Sequence, residues 1–140
     1  MLKPYIRKVN YYETDQMKVV HHSNYARYIE EARLDLMEQS GIDYKAMEDE
    51  GIIIPVLEIN TKFKYAVHFG DTIAIDIKVN KLTPVRFSLE YKIKDAETGE
   101  IRCEATSSHA FVNDKFMPFN IKKSFPEVYA QFEALLSKDE

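Results

Sequence analysis

Tyr11-Tyr12-Glu13-Thr14-Asp15-Gln16-Met17-Lys18-Val19-Val20-His21-His22-Ser23-Asn24-Tyr25-Ala26-Arg27-Tyr28-Ile29-Glu30-Glu31-Ala32-Arg33 is the stretch on which the fold turns. A polar segment carrying Asp15 runs into a short apolar step, Val19-Val20. Two histidines follow, then Ser23-Asn24, and a helical pattern begins. Ser and Asn are favoured helix N-caps because their side chains satisfy free N–H groups of the first turn. Tyr25, Tyr28, Ile29, Ala32, Leu36 and Met37 recur with a 3.6-residue period and make one apolar stripe. Leu34 falls off that stripe. Gly41, just past Ser40, suits a left-handed C-terminal cap. The spacing predicts a helix from about Asn24 to about Ser40. Asp15 is then expected shortly before its N-terminus, where free N–H groups and the positive end of the helix dipole point outward.

The rest of the chain is read outward from that helix. Pro4 to Tyr11 is β-leaning and predicts a strand feeding the Asp15 loop. Asp43 to Glu50 reads as a further helical turn or two, ended by Gly51. The period then changes to two. Leu57, Ile59, Thr61, Phe63 and Tyr65 alternate with polar residues, as do Ile73, Ile75, Ile77 and Val79. Val85, Phe87, Leu89, Tyr91 and Ile93 form a third run, and Ile101 through Phe111 a fourth. Such alternation marks strands with one buried face. Gly70-Asp71, Thr83-Pro84 and Glu97-Thr98-Gly99 separate them as turns. The connections are too short for crossover helices, so an antiparallel meander is expected. Ser124-Phe125-Pro126-Glu127 has capping-box spacing and opens a final helix with Phe125, Val128, Tyr129, Phe132, Leu135 and Leu136 on its stripe. Ser137 to Glu140 is expected to fray.

This order predicts an α+β fold, a curved antiparallel sheet wrapped around one long helix. Unpaired sheet edges would remain, and pairing them between two copies predicts a dimer. At 140 residues the chain is expected to be one domain, 1–140. Apolar residues at 45% are enough for a core, and a net charge of −4 argues against general nucleic-acid binding. The single cysteine, Cys103, reads as a small buried strand residue and fits a reducing compartment. No run is long enough to span a membrane, and the N-terminus lacks an apolar signal core; a cytoplasmic location is the expectation.

Several common sites are absent from the sequence. It has no Gly-x-Ser-x-Gly elbow, no phosphate-binding loop, no dinucleotide fingerprint and no sulfur-rich metal set. Asp15 is the leading candidate. It reads either as a solvated loop carboxylate or as a general base or nucleophile facing a helix N-terminal oxyanion hole. His21 and His22 read as loop residues near the cap, as carriers of a backbone N–H aimed at a substrate carbonyl, or as metal ligands with Asp15. The last lacks an evident third ligand. Tyr11, Tyr12, Tyr25 and Tyr28 read first as core or interface aromatics. Lys62, Lys64, Lys92 and Lys94 read as a solvated strand face, and His109 as a satisfied, partly buried histidine.

Thr14-Asp15-x-Met17-x-Val19-Val20-His21-His22-x-Asn24-Tyr25, continued by Glu30-Glu31-Ala32-Arg33, resembles the hydroxybenzoyl-CoA thioesterase-like family of acyl-CoA thioesterases. Element order and the Phe69-Gly70-Asp71 step extend the resemblance over nearly the whole chain. It implies the hotdog fold, edge-to-edge dimers that can pair into tetramers, and hydrolysis of an acyl thioester carried by CoA or an acyl-carrier protein. No cofactor is implied. Asp15 matches the family's catalytic aspartate, and His22 the position whose backbone N–H polarises the carbonyl. Val20, His21 and Tyr25 fall at substrate-contacting positions of the motif. Lys18 stands where family members usually have glycine, and Lys81 and Arg86 only flank the turn where a relative has paired arginines. A non-catalytic acyl-thioester-binding module and a hotdog dehydratase are the alternative functions.

Overall fold

A computed structural model describes residues 2–138. The first strand, β1 (Tyr5–Lys8), leads through a 3-10 turn (Tyr11–Glu13) and a hairpin into α1 (Ser23–Gln39). A short helix α2 (Tyr44–Asp49) follows, then β2 (Val56–Phe63), β3 (Thr72–Leu82), β4 (Arg86–Asp95) and β5 (Ile101–Ala110). One further helical turn, α3 (Ile121–Ser124), precedes α4 (Pro126–Lys138). Asp139 and Glu140, part of the tail expected to fray, lie outside the described residues.

Helix α1 buries the stripe that its periodicity predicts. Tyr25, Tyr28, Ile29, Ala32, Leu36 and Met37 are all buried, whereas Leu34 is exposed. They share one core with Ile73 and Ile75 of β3, Phe87, Leu89, Tyr91 and Ile93 of β4, and Cys103 and Ala105 of β5. Each large apolar side chain buried there contributes about 1.5–3 kcal/mol. The cost of leaving that stripe in water is what makes the sheet curve around the helix. Helix α4 closes the core with Tyr129, Phe132 and Leu135, and Phe132 meets Phe87 and Phe111 at ring distances of 5.1 and 5.3 Å.

The sheet is antiparallel, as expected, but its order is β1-β3-β4-β5-β2 rather than a simple meander. Only β3, β4 and β5 follow one another in space. β2 pairs with β5, from Val56↔His109 to Phe63↔Cys103, so residues 64–71 cross from one side of the sheet to the other. Three local expectations are also corrected. Leu57, Ile59, Phe63 and Tyr65, expected on a buried strand face, are exposed because β2 is an edge strand. Tyr11 leaves the strand for the 3-10 turn, because Glu13 N–H bonds back to the Asn10 carbonyl at 3.0 Å. Ser124 is not the cap of the last helix; it ends α3, which Asn120 caps by accepting the Lys123 N–H.

His109 is fully buried rather than partly so. Its Nε2 lies 2.8 Å from Ser107 Oγ, which in turn lies 2.6 Å from Tyr91 Oη. Its ring stacks on its cross-strand neighbour Phe87 at 4.8 Å. Burial, then the nearby Arg33 charge, pushes the His109 imidazole down to about 4. The folded state therefore refuses a proton that the unfolded chain accepts below its ordinary 6.5. Stability should fall as pH drops from 6.5 towards 4 by about 3 kcal/mol in full. Thermal melts across that window should show the decline, and NMR titration should find the His109 ring neutral until about pH 4.

Candidate active site

Asp15 opens a tight hairpin. Thr14 and Val20 form the bridge that closes it. The Asp15 N–H donates to the Val19 carbonyl at 2.9 Å, and the Lys18 N–H donates to the Asp15 carbonyl at 2.9 Å. Asp15 Oδ1 accepts the Met17 N–H at 2.8 Å, the bond that favours aspartate at the start of such turns. A three-residue hairpin loop of this kind needs one residue in the left-handed region, normally glycine. Lys18 takes that conformation, with φ at +65°. The lysine thus adopts the backbone shape that the family's usual glycine would supply.

The returning arm is buttressed from below. Val19 bridges His68, and the Val20 N–H donates to the Val67 carbonyl at 2.7 Å. The 64–71 crossover is itself held by Arg102 of β5, whose Nη1 donates to the Ala66 carbonyl at 2.6 Å and whose Nη2 pairs with Asp95 at 3.1 Å. Asp15 is left partly exposed in a cleft of ≈560 Å³ with Tyr11, Tyr12, Thr14, Gln16, Lys18 and Phe69. Tyr11 and Phe69 meet edge to face at 5.4 Å across it.

The hairpin feeds directly into α1, but not through the expected cap. His22 is the N-cap, and Ser23 and Asn24 are already helical. The His21 ring replaces the missing cap: its Nδ1 accepts the Ser23 N–H at 3.2 Å. This makes Nδ1 the acceptor nitrogen, 2.9 Å from Ser23 Oγ. Asn24 turns backward instead and donates to the Glu13 carbonyl at 2.8 Å. The His22 N–H has no acceptor among the described residues, and its side chain is exposed. The two histidine rings lie 4.1 Å apart.

The candidate residues are thus distributed unevenly. Asp15 lies in the open cleft and His22 at the start of the helix that follows it. Val20 and Tyr25 are buried within this chain. Tyr25 packs edge-on against Phe63 of β2 at 4.9 Å, and burial pushes its phenol up to about 12. Cys103 is buried, and that burial pushes its thiol up to about 11, so it is no nucleophile. Among the described residues, no group of three His, Cys, Asp or Glu could share a metal ion. Of the other cleft residues, Gln16 carries no mark in the sequence, and Thr14 and Phe69 stand out only through the motif and the Phe69-Gly70-Asp71 step of the resemblance. Phe69 could be placed only by the crossover.

Residues 9–132 match the thioesterase-like superfamily. The chain belongs to that family. It has the hotdog fold, and the expected thioester hydrolase is borne out by the membership. It is similar to a Bacillus subtilis protein named "Putative acyl-CoA thioesterase YneP", 34% identical over 90% of this chain and 91% of that one. A 1,4-dihydroxy-2-naphthoyl-CoA hydrolase of Thermosynechococcus vestitus is 30% identical over 77% of this chain and 74% of its own. The crystal structure of a DHNA-CoA thioesterase from Staphylococcus aureus superposes with a TM-score of 0.89 at 30% identity, covering 99% of this chain and 95% of that one. Among the described residues, no helix of this thioesterase is long and apolar enough to cross a membrane.

The strain at Lys18 is testable. A side chain in the left-handed region costs about 1–2 kcal/mol relative to glycine, offset in part by glycine's greater freedom when unfolded. Lys18→Gly should melt at the same temperature or slightly higher, and Lys18→Val, which is β-branched, clearly lower. A Lys18→Gly variant that loses several degrees would show that the lysine side chain makes stabilising contacts.

Proposed function

We propose that this thioesterase hydrolyses an acyl-CoA thioester with Asp15 as the reacting carboxylate and the His22 N–H as oxyanion donor. The observation that carries the reading is local. A half-exposed carboxylate in an open cleft stands on the hairpin whose other arm ends at an unengaged helix N-terminal N–H. The relatives reported above are named for CoA thioesters, which supports CoA as the carrier.

The chemistry asks little more. A thioester carbonyl is less resonance-stabilised than an amide, and its leaving thiol has a pKa of about 8.5, so it departs with little acid help. In the base route Asp15 takes a proton from water, and the water oxygen attacks the carbonyl carbon. The charge that builds on the carbonyl oxygen meets the His22 N–H and the positive end of α1. The C–S bond then breaks and the CoA thiolate leaves. In the nucleophile route Asp15 attacks the carbonyl carbon, the C–S bond breaks and the CoA thiolate leaves, and water cleaves the resulting mixed anhydride to the free acid and the Asp15 carboxylate. Both routes use the same carboxylate and the same N–H. Val20, His21 and Tyr25 shape the ground beneath the acyl group.

The active form is a homo-oligomer, a dimer paired edge to edge through the sheet or a tetramer of two such dimers, and each copy is a single thioesterase domain. β2 supports this: it is an edge strand, yet Val56, Leu57, Ile59 and Phe63 are all exposed on it. Long apolar edges are seldom left in water. Light scattering at micromolar concentration should give a multiple of 16.4 kDa. A stable, active monomer would sink the proposal.

Asp15→Asn keeps the size of the side chain but removes the base and the nucleophile. It should lower kcat by roughly two to four orders of magnitude, with KM changed much less. Melting temperature should hold or rise slightly. His22→Ala should keep most of the activity, because alanine retains the N–H. Steady-state kinetics on a panel of acyl-CoAs, read by thiol release, decide both points. An Asp15→Asn enzyme within a fewfold of wild type would make Asp15 an ordinary loop carboxylate.

A further inference from the structure

Glu13 is the one buried carboxylate among the described residues, and its side chain and main chain hold different things. Its Oε1 accepts Arg7 Nη1 at 2.6 Å and the Asn10 N–H at 2.8 Å, and its Oε2 accepts Arg7 Nη2 at 2.6 Å. Arg7 stands on β1 opposite Ile73 of β3. Its Nε donates to Glu31 of α1 at 3.1 Å, and its guanidinium lies 4.8 Å over the Tyr28 ring. The pair therefore ties the sheet, the 3-10 turn and α1 together. The Glu13 carbonyl accepts two further bonds, from the His21 N–H at 2.9 Å and from Asn24 Nδ2 at 2.8 Å. One donor is on the returning hairpin arm, next to His22; the other is in the first turn of α1. Asp15 follows Glu13 by two residues. One carbonyl thus sets where the carboxylate arm meets the N–H arm.

We propose that Arg7 and Glu13 are positioning residues for hydrolysis, their buried ion pair fixing Asp15 relative to the start of α1. The inference rests on the proposed roles of Asp15 and His22. Stability alone does not account for the pair, because a buried ion pair is often no more stabilising than apolar residues of similar volume. What apolar residues would not supply is direction. A bidentate fork fixes the Glu13 side chain in one orientation, and with it the carbonyl that both arms share. Burial opposes the charge on Glu13, yet Arg7, the Asn10 N–H and Tyr28 outweigh it and hold the carboxyl below its ordinary value. The fork therefore persists throughout the pH range in which a thioesterase would work.

The test replaces the pair by Arg7→Met with Glu13→Leu in the full chain. The double variant should fold. Hydrogen exchange at the Asp15 and His21 amides should quicken at least tenfold, with the middle of α1 unchanged. kcat per folded molecule, with the folded fraction taken from the amplitude of the melting transition, should fall roughly ten- to a hundredfold with KM within about threefold; the correction is needed because unfolded protein by itself lowers apparent kcat at constant KM. Asp15→Asn should also cost less in that background than in wild type, since a misplaced carboxylate has less to lose. Wild-type exchange and wild-type kcat in the double variant overturn the proposal. Faster exchange with kcat unchanged, in an enzyme that also tolerates Asp15→Asn, overturns the assignment of the site and the positioning role with it. Should the double variant not fold, Arg7→Lys keeps the charge and loses the fork. A kcat per folded molecule for Arg7→Lys equal to wild type overturns the proposal, and a severalfold fall in it with KM held supports it.

Discussion

Everything in this chain is arranged by the need of one helix to hide one face. The stripe from Tyr25 to Met37 must leave water, and the inner face of β3, β4 and β5 takes it. The sheet curves to meet it, and α4 covers what remains. Because the helix is gripped along its length, its N-terminus is fixed in space. The hairpin that precedes it, pinned to the 64–71 crossover, can then present Asp15 at a set place. The site is a by-product of core packing: rigid where the helix is held, and open only where the hairpin turns.

How much of this was legible in the sequence follows from what periodicity can encode. The long helix and its buried stripe were readable, because the 3.6-residue spacing of Tyr28, Ile29, Ala32 and Leu36 names the face directly. The buried faces of β3, β4 and β5 were readable for the same reason, but that of β2 was not: Leu57, Ile59, Phe63 and Tyr65 alternate like a half-buried strand and are all exposed. Strand neighbours were not, since alternation says which side of a residue is buried but not which strand lies beside it. That is why β2 was expected next to β3 and lies next to β5. The cap was misplaced because Ser23 and Asn24 are good caps in isolation, whereas here the His21 ring accepts the Ser23 N–H and the Glu13 carbonyl draws the Asn24 side chain backward.

The candidate site was half legible. Asp15 and His22 stood out by motif and by place before a helix. Glu13 looked like one more charge in a polar run, because its burial depends on Arg7, six residues earlier and on another element. The left-handed backbone of Lys18 was signalled only by the glycine usual at that place in the resemblance, since nothing about a lysine side chain announces it. His109 was read as satisfied and partly buried, whereas it is sealed inside with Ser107, Tyr91 and Phe87. Long-range partners decide such cases, and a single sequence does not display them.

The crossover between β2 and β3 carries a consequence for the chain's history as well as its shape. β3, β4 and β5 are joined by short turns, so each can pair with its neighbour as soon as both exist. β2 is made before them and has no partner until β5 has been laid down, which leaves a long loop to close. During that interval Val56, Leu57, Ile59 and Phe63 stand on an unpaired strand. A nascent or refolding chain is therefore most adhesive at β2, and conditions that slow the meander lengthen the time in which two such strands can find each other wrongly.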